Sequence, residues 1–152
     1  MTFGVLQLLC IFWLAAEICL TRRSGAGPVS KDRGSVRIIW LTEMASIALG
    51  VLAAFRFHQF FLHPWMRYHV LGICILAAGI TLRLYAILYL GRFFTINVAI
   101  ATDHRVIDSG PYRFIRHPSY TGALLGIFGL GLGIGNWLSL IIIFVPIFLV
   151  LC

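Results

Sequence analysis

Long apolar runs alternate with short polar stretches along this chain. Five runs stand out, at 2–20, 38–55, 70–90, 118–134 and 137–152. About 20 apolar residues cross a bilayer as a helix. Inside hydrocarbon every backbone amide must be paired within its own segment, so such runs predict helices. The pattern therefore predicts an all-α integral membrane protein with about five transmembrane helices, forming a single domain over 1–152. Only Gly135-Asn136, a tight-turn signal, separates the last two runs, so they are expected to form a tight Gly-rich helical hairpin. The fourth run carries Gly122, Gly126, Gly129 and Gly133, whose spacing puts them on one helical stripe. In lipid a stripe of small residues lets another helix approach closely. The expected neighbour is the fifth run; the plainer alternative is that glycine is common in membrane helices.

Composition agrees with the pattern. Of 152 residues, 61% are hydrophobic and 11% charged, against about 25% charged in soluble domains. The net charge of +7 is then first a topology signal. A nucleic-acid partner would need a basic face on a soluble fold, which the pattern does not offer. Lysine and arginine number five in 21–37, two in 56–69 and four in 91–117. The positive-inside rule accordingly places loops 21–37 and 91–117 in the cytosol of a multi-pass protein, in a bacterial inner membrane or the endoplasmic reticulum. The first run lacks a basic segment before it and is followed at once by Arg22 and Arg23. That is the reverse of a cleaved signal peptide, so a retained anchor with its N-terminus outside is expected. Cys10, Cys19, Cys74 and Cys152 form no C-x-x-C pair. They predict neither a disulfide framework nor a metal site.

Glu17, Glu43 and Arg83 lie inside apolar runs, where an unpaired charge costs several kcal/mol. At a rise of about 1.5 Å per residue, all three lie within about 10 Å of the cytosolic boundary. Snorkelling or a structural ion pair would accommodate them, and the expected pair is Arg83 with Glu43.

The densest polar stretch is Asp108 to Gly122. Ser109-Gly110-Pro111 is a turn signal. Pro118 suits the first position of a helix, with His117 near the N-cap and Ser119 and Tyr120 in the first turn. First-turn N–H groups are unpaired and attract a carboxylate. His117 could add a donor, and Tyr112 and Tyr120 could offer ring faces to a cation. A ligand with a carboxylate and a fixed positive charge, such as S-adenosylmethionine, fits this set. A basic–aromatic belt among lipid headgroups fits it too.

Gly110-Pro111-Tyr112-Arg113-x-x-Arg116-His117-Pro118-Ser119-Tyr120-x-Gly122 resembles the signature of the isoprenylcysteine carboxyl methyltransferases, integral membrane enzymes related to the phospholipid methyltransferases. Upstream, His104-Arg105-Val106-Ile107 is similar to that family's His-x-Leu-Val segment. The resemblance covers about residues 85–140. It implies S-adenosylmethionine as cofactor, with contacts at Asn97, His104, Arg105, Val106, Ile107, Tyr112, His117, Pro118, Ser119 and Tyr120. Asn97 stands where the family uses a polar amide, and Arg105 replaces an uncharged residue. The family continues past the hairpin with a Glu-rich cytosolic segment that this sequence lacks. The chain is therefore expected to be C-terminally truncated, either a fragment or a non-catalytic relative, and no catalytic residue is assigned.

The implied activity is S-adenosylmethionine-dependent O-methylation of a lipid-linked carboxylate at the cytosolic face, with the bilayer and a lipophilic, prenylated acceptor as partners. A carboxylate is already ionised near neutral pH, so no general base is required. Orientation and exclusion of water carry the work. A phospholipid or lipid-amine acceptor is the alternative, and it would have to lose a proton first.

Overall fold

The computed structural model describes residues 2–24, 33–90 and 110–151. They form five helices: α1 (Thr2–Ser24), α2 (Arg33–Arg56), α3 (Trp65–Leu90), α4 (Pro118–Ile134) and α5 (Trp137–Leu151). Helical structure runs past the apolar segments at several ends. α1 passes through Arg22 and Arg23, and α3 starts at Trp65, immediately after Pro64. Arginine is a good helix former, so hydropathy marks the apolar part of a helix and not its ends. Among the described residues, Arg37–Arg56 and Trp65–Leu90 are long and apolar enough to cross a membrane. The apolar parts of the others, Gly4–Cys19, Pro118–Ile134 and Trp137–Leu151, are shorter.

α3 and α4 pack antiparallel in the most extensive contact of the bundle, and α2 packs on α5. The glycine stripe of α4 explains the first contact. A methyl group on Gly129 would lie 2.8 Å from the Gly72 carbonyl oxygen, and one on Gly122 2.6 Å from the Arg83 backbone nitrogen. In return, methyl groups on Gly72 and Gly79 would lie 2.7 Å from the carbonyl oxygens of Gly129 and Gly122. The two backbones touch with no room for side chains between them. α1 lies over the same seam, with Trp13 beside Gly126 and Leu6 beside Gly133. The expected partner, α5, meets α4 off the stripe, through Leu140 at Gly131 and Phe144 at Phe128. The hairpin is present, but its glycines serve a different neighbour. α3 brings glycines of its own, and two small faces approach more closely than a small face and the bulky Ile and Phe side chains of α5 can.

The buried centre contains Leu6, Trp13, Leu76, Ile127, Leu130 and Ile143. Outside, Leu41, Phe55, Leu88 and Leu149 are each at least 70% exposed. So apolar an exterior is costly in water and suits hydrocarbon.

At one end, polar groups tie the α4–α5 turn to the α2–α3 connection. Gly135 takes the left-handed conformation (φ 76°) that closes α4, as glycine does at little cost. Asn136 is fully buried; its amide donates to the Phe57 carbonyl (2.9 Å), and its Oδ1 accepts from the Ser139 N–H (3.1 Å). The second bond caps α5. The Ser139 hydroxyl donates to the Gly50 carbonyl (2.7 Å). Further along the same end, the His69 ring donates to the Gly133 carbonyl (2.6 Å) and stacks on Trp65.

Candidate functional site

The opposite end holds the polar stretch that the sequence singles out. Gly110–Arg113 form a short 3-10 helix, and α4 starts at Pro118 with His117 at the N-cap position. The His117 side chain makes no cap bond. Two contacts hold this segment on α3. The Tyr112 hydroxyl donates to the Ala86 carbonyl (3.3 Å), and burial pushes its pKa above the ordinary phenol value, so it remains a donor. Gly110 has φ +60° and lies against the Tyr89 ring, whose nearest atom is 2.5 Å from where its Cβ would be, so backbone conformation and space both favour glycine there.

Residues 117–120 divide into an outward and an inward pair. His117 and Tyr120 are exposed, and their rings stack with centroids 5.7 Å apart. Pro118 and Ser119 are buried. Arg83 Nη1 donates to the Ser119 carbonyl (3.2 Å) and to its hydroxyl (3.1 Å). The other edge of the guanidinium meets Glu17 of α1: Nη2 donates to Oε2 at 2.8 Å, and Nε donates to Oε1. Trp13 Nε1 donates to the same Oε1 at 3.1 Å.

The expected pairing of Arg83 with Glu43 is therefore corrected: Glu17 is the partner. Depth along a span places all three residues at one level but does not say which helices are neighbours. α1 packs on the α3–α4 seam, whereas α2, which carries Glu43, packs on α5. Sequence reasoning also missed the contact of Arg83 with Ser119. The available signal was Arg83 sharing a level with the start of α4.

Arg113, Phe114 and Arg116 are exposed, with the Arg113 guanidinium 5.9 Å from the centre of the Phe114 ring. Such exposure is what a headgroup belt would require. Of the sequence-derived site residues, Tyr112, His117, Pro118, Ser119 and Tyr120 thus lie together at one end of the bundle. Asn97, His104, Arg105, Val106 and Ile107 lie outside the described residues.

Chemically, the start of α4 offers first-turn N–H groups and the ring faces of His117 and Tyr120. Those groups fit the carboxylate and the sulfonium of S-adenosylmethionine. A cavity of about 500 Å³ lies between α1, α2 and α4, lined by Trp13, Met44, Ile47 and Leu130 among others, with Glu17 and Glu43 on its wall. Its lining is predominantly apolar, which suits a hydrocarbon chain.

The Isoprenylcysteine carboxyl methyltransferase family matches residues 70–152, more than half of the chain. Among curated proteins, a probable protein-S-isoprenylcysteine O-methyltransferase of Oryza sativa subsp. japonica is 34% identical over 70 residues, covering 45% of this chain and 37% of the rice protein. Protein-S-isoprenylcysteine O-methyltransferase B of Arabidopsis thaliana is 35% identical over 72 residues, covering 46% of this chain and 36% of the relative. The matches thus span little more than a third of these relatives' length. No solved structure matches the chain.

Proposed function

Since the chain belongs to the isoprenylcysteine carboxyl methyltransferase family, we propose that it holds the cofactor of a multi-pass membrane methyltransferase. The enzyme would use S-adenosylmethionine to methylate the carboxylate of a prenylated, lipid-linked acceptor at the cytosolic face. The observation that carries this reading is the division at the start of α4. Pro118 and Ser119 face the bundle, while His117 and Tyr120 are turned outward as a stacked pair beside first-turn N–H groups that the His117 side chain does not cap.

In this reading the Ser119 and Tyr120 N–H groups receive the cofactor's carboxylate, favoured by the helix dipole. The faces of Tyr120 and His117 receive its cationic end. Tyr112 and Gly110 hold the preceding turn on α3. When bound, S-adenosylmethionine supplies an activated methyl group. The apolar cavity between α1, α2 and α4 takes the acceptor's hydrocarbon chain from the bilayer side. An acceptor carboxylate is ionised at neutral pH, so the chain's residues need only orient the reactants and exclude water.

Calorimetric titration of the purified chain in nanodiscs with S-adenosylmethionine tests this. Binding is expected, and its absence at millimolar cofactor would sink the reading. Transfer of a tritiated methyl group by the protein separates acceptors: label is expected in a prenylcysteine substrate. Label appearing only in phosphatidylethanolamine would replace the carboxylate acceptor with an amine.

A further inference from the structure

α1 lies outside the family-matched residues 70–152, yet it supplies the counter-charge to a half-buried arginine that holds the start of α4. We propose that Glu17 and Arg83 are positioning residues for cofactor binding, acting through the first turn of α4. The inference rests on the cofactor reading above.

A guanidinium is a planar fork with five donors. In Arg83, Nε and Nη2 go to the two oxygens of Glu17, and Nη1 goes to the carbonyl and hydroxyl of Ser119. Glu17 therefore fixes the plane from which Nη1 reaches Ser119, as two-pronged pairing does. Trp13 holds the carboxylate from its own side, one helical turn away. The side chains of Arg83 and Glu17 are only 17% and 11% exposed. Without its partner, a charged arginine at this depth would turn toward the membrane surface and leave Ser119.

Ser119 lies between the two outward rings, His117 two residues before it and Tyr120 one after. A shift in this turn therefore moves the candidate donors and ring faces together. The α3–α4 contact does not depend on the ion pair. Gly72, Gly79, Gly122 and Gly129 hold the two backbones together independently. The pair can thus be removed with the helices still packed, which separates positioning from support.

Two variants of the full chain test the proposal, each followed by cofactor titration and by thermal unfolding without ligand. Glu17→Leu with Arg83→Met replaces the pair by apolar groups of similar size. Its unfolding temperature is expected to stay within a few degrees of wild type, while S-adenosylmethionine binds roughly tenfold more weakly, the loss of one good interaction. Arg83→Lys keeps the charge and loses the fork, so several-fold weakening is expected with the fold intact. Faster hydrogen exchange at the Thr121 amide, which donates to the His117 carbonyl (3.0 Å), should accompany both. Wild-type affinity in both variants would overturn the proposal, as would weakening in step with a collapse of the unfolding temperature. Failure of the wild-type chain itself to bind the cofactor would instead reject the cofactor reading, and this inference with it.

Discussion

Arg83 of α3 and Glu17 of α1 meet 66 residues apart in sequence, with both carboxylate oxygens engaged by one guanidinium. The pair is nearly buried, so removing one partner leaves a charge uncompensated. Glu17→Ala should lower stability by about 3–5 kcal/mol. Glu17→Leu with Arg83→Met should cost less than the single change, because apolar replacement of a buried pair is often close to neutral. Thermal unfolding in one detergent compares the two, and a double variant less stable than Glu17→Ala would contradict the account.

The α3–α4 seam makes a second prediction. The Cβ of Gly129→Ala would meet the backbone of Gly72 and Leu76, which cannot swing aside as a side chain can. A loss of about 1–3 kcal/mol is expected, the usual cost of overpacking. Gly4→Ala is the control: nothing lies within 4 Å of its Cβ, and its effect should remain within about 0.5 kcal/mol. Equal effects from the two substitutions would remove the close-approach explanation.

Asn136 serves two chain segments at once, through Phe57 and the first turn of α5. Asn136→Ala removes a helix cap and one of the two donors of the Phe57 carbonyl, which keeps the Phe60 N–H. The expected loss is about 1–3 kcal/mol, with faster hydrogen exchange at the Ser139 amide. Unchanged protection there would show that the cap is dispensable.

Gly110→Ala faces two obstacles, a positive φ and the Tyr89 ring. Adding Tyr89→Ala removes the ring and leaves the backbone strain, about 1–2 kcal/mol for a residue with a Cβ. The double variant should therefore recover part of the protease resistance that the single variant loses in the 110–116 segment. Full recovery would mean that the ring alone excludes a side chain.

His117→Ala should weaken S-adenosylmethionine binding roughly tenfold, the value of one good contact. Arg113→Ala, whose guanidinium sits over Phe114, should change it less than about twofold. Equal and negligible effects in titration calorimetry would return the whole segment to a headgroup belt.

What the sequence determined by itself is local. Apolar runs separated by turn residues dictated the helices, because a backbone in hydrocarbon must pair its amides within each segment. Gly135-Asn136 made the hairpin turn, and Pro118 marked the start of α4 with His117 just ahead of it. The mixed polar motif around Tyr112 and His117 was legible as a resemblance because it depends on neighbours in sequence. Only the tertiary structure decided which helices met. Periodicity puts the four glycines of α4 on one face, but α3 fills that face because it brings Gly72 and Gly79 to match. Depth puts Glu17 and Glu43 at one level, but α1, and not α2, lies beside Arg83. The inward turn of Ser119 was hidden for the same reason: its partner comes from another helix, and sequence spacing orders residues along one helix without ordering helices around each other.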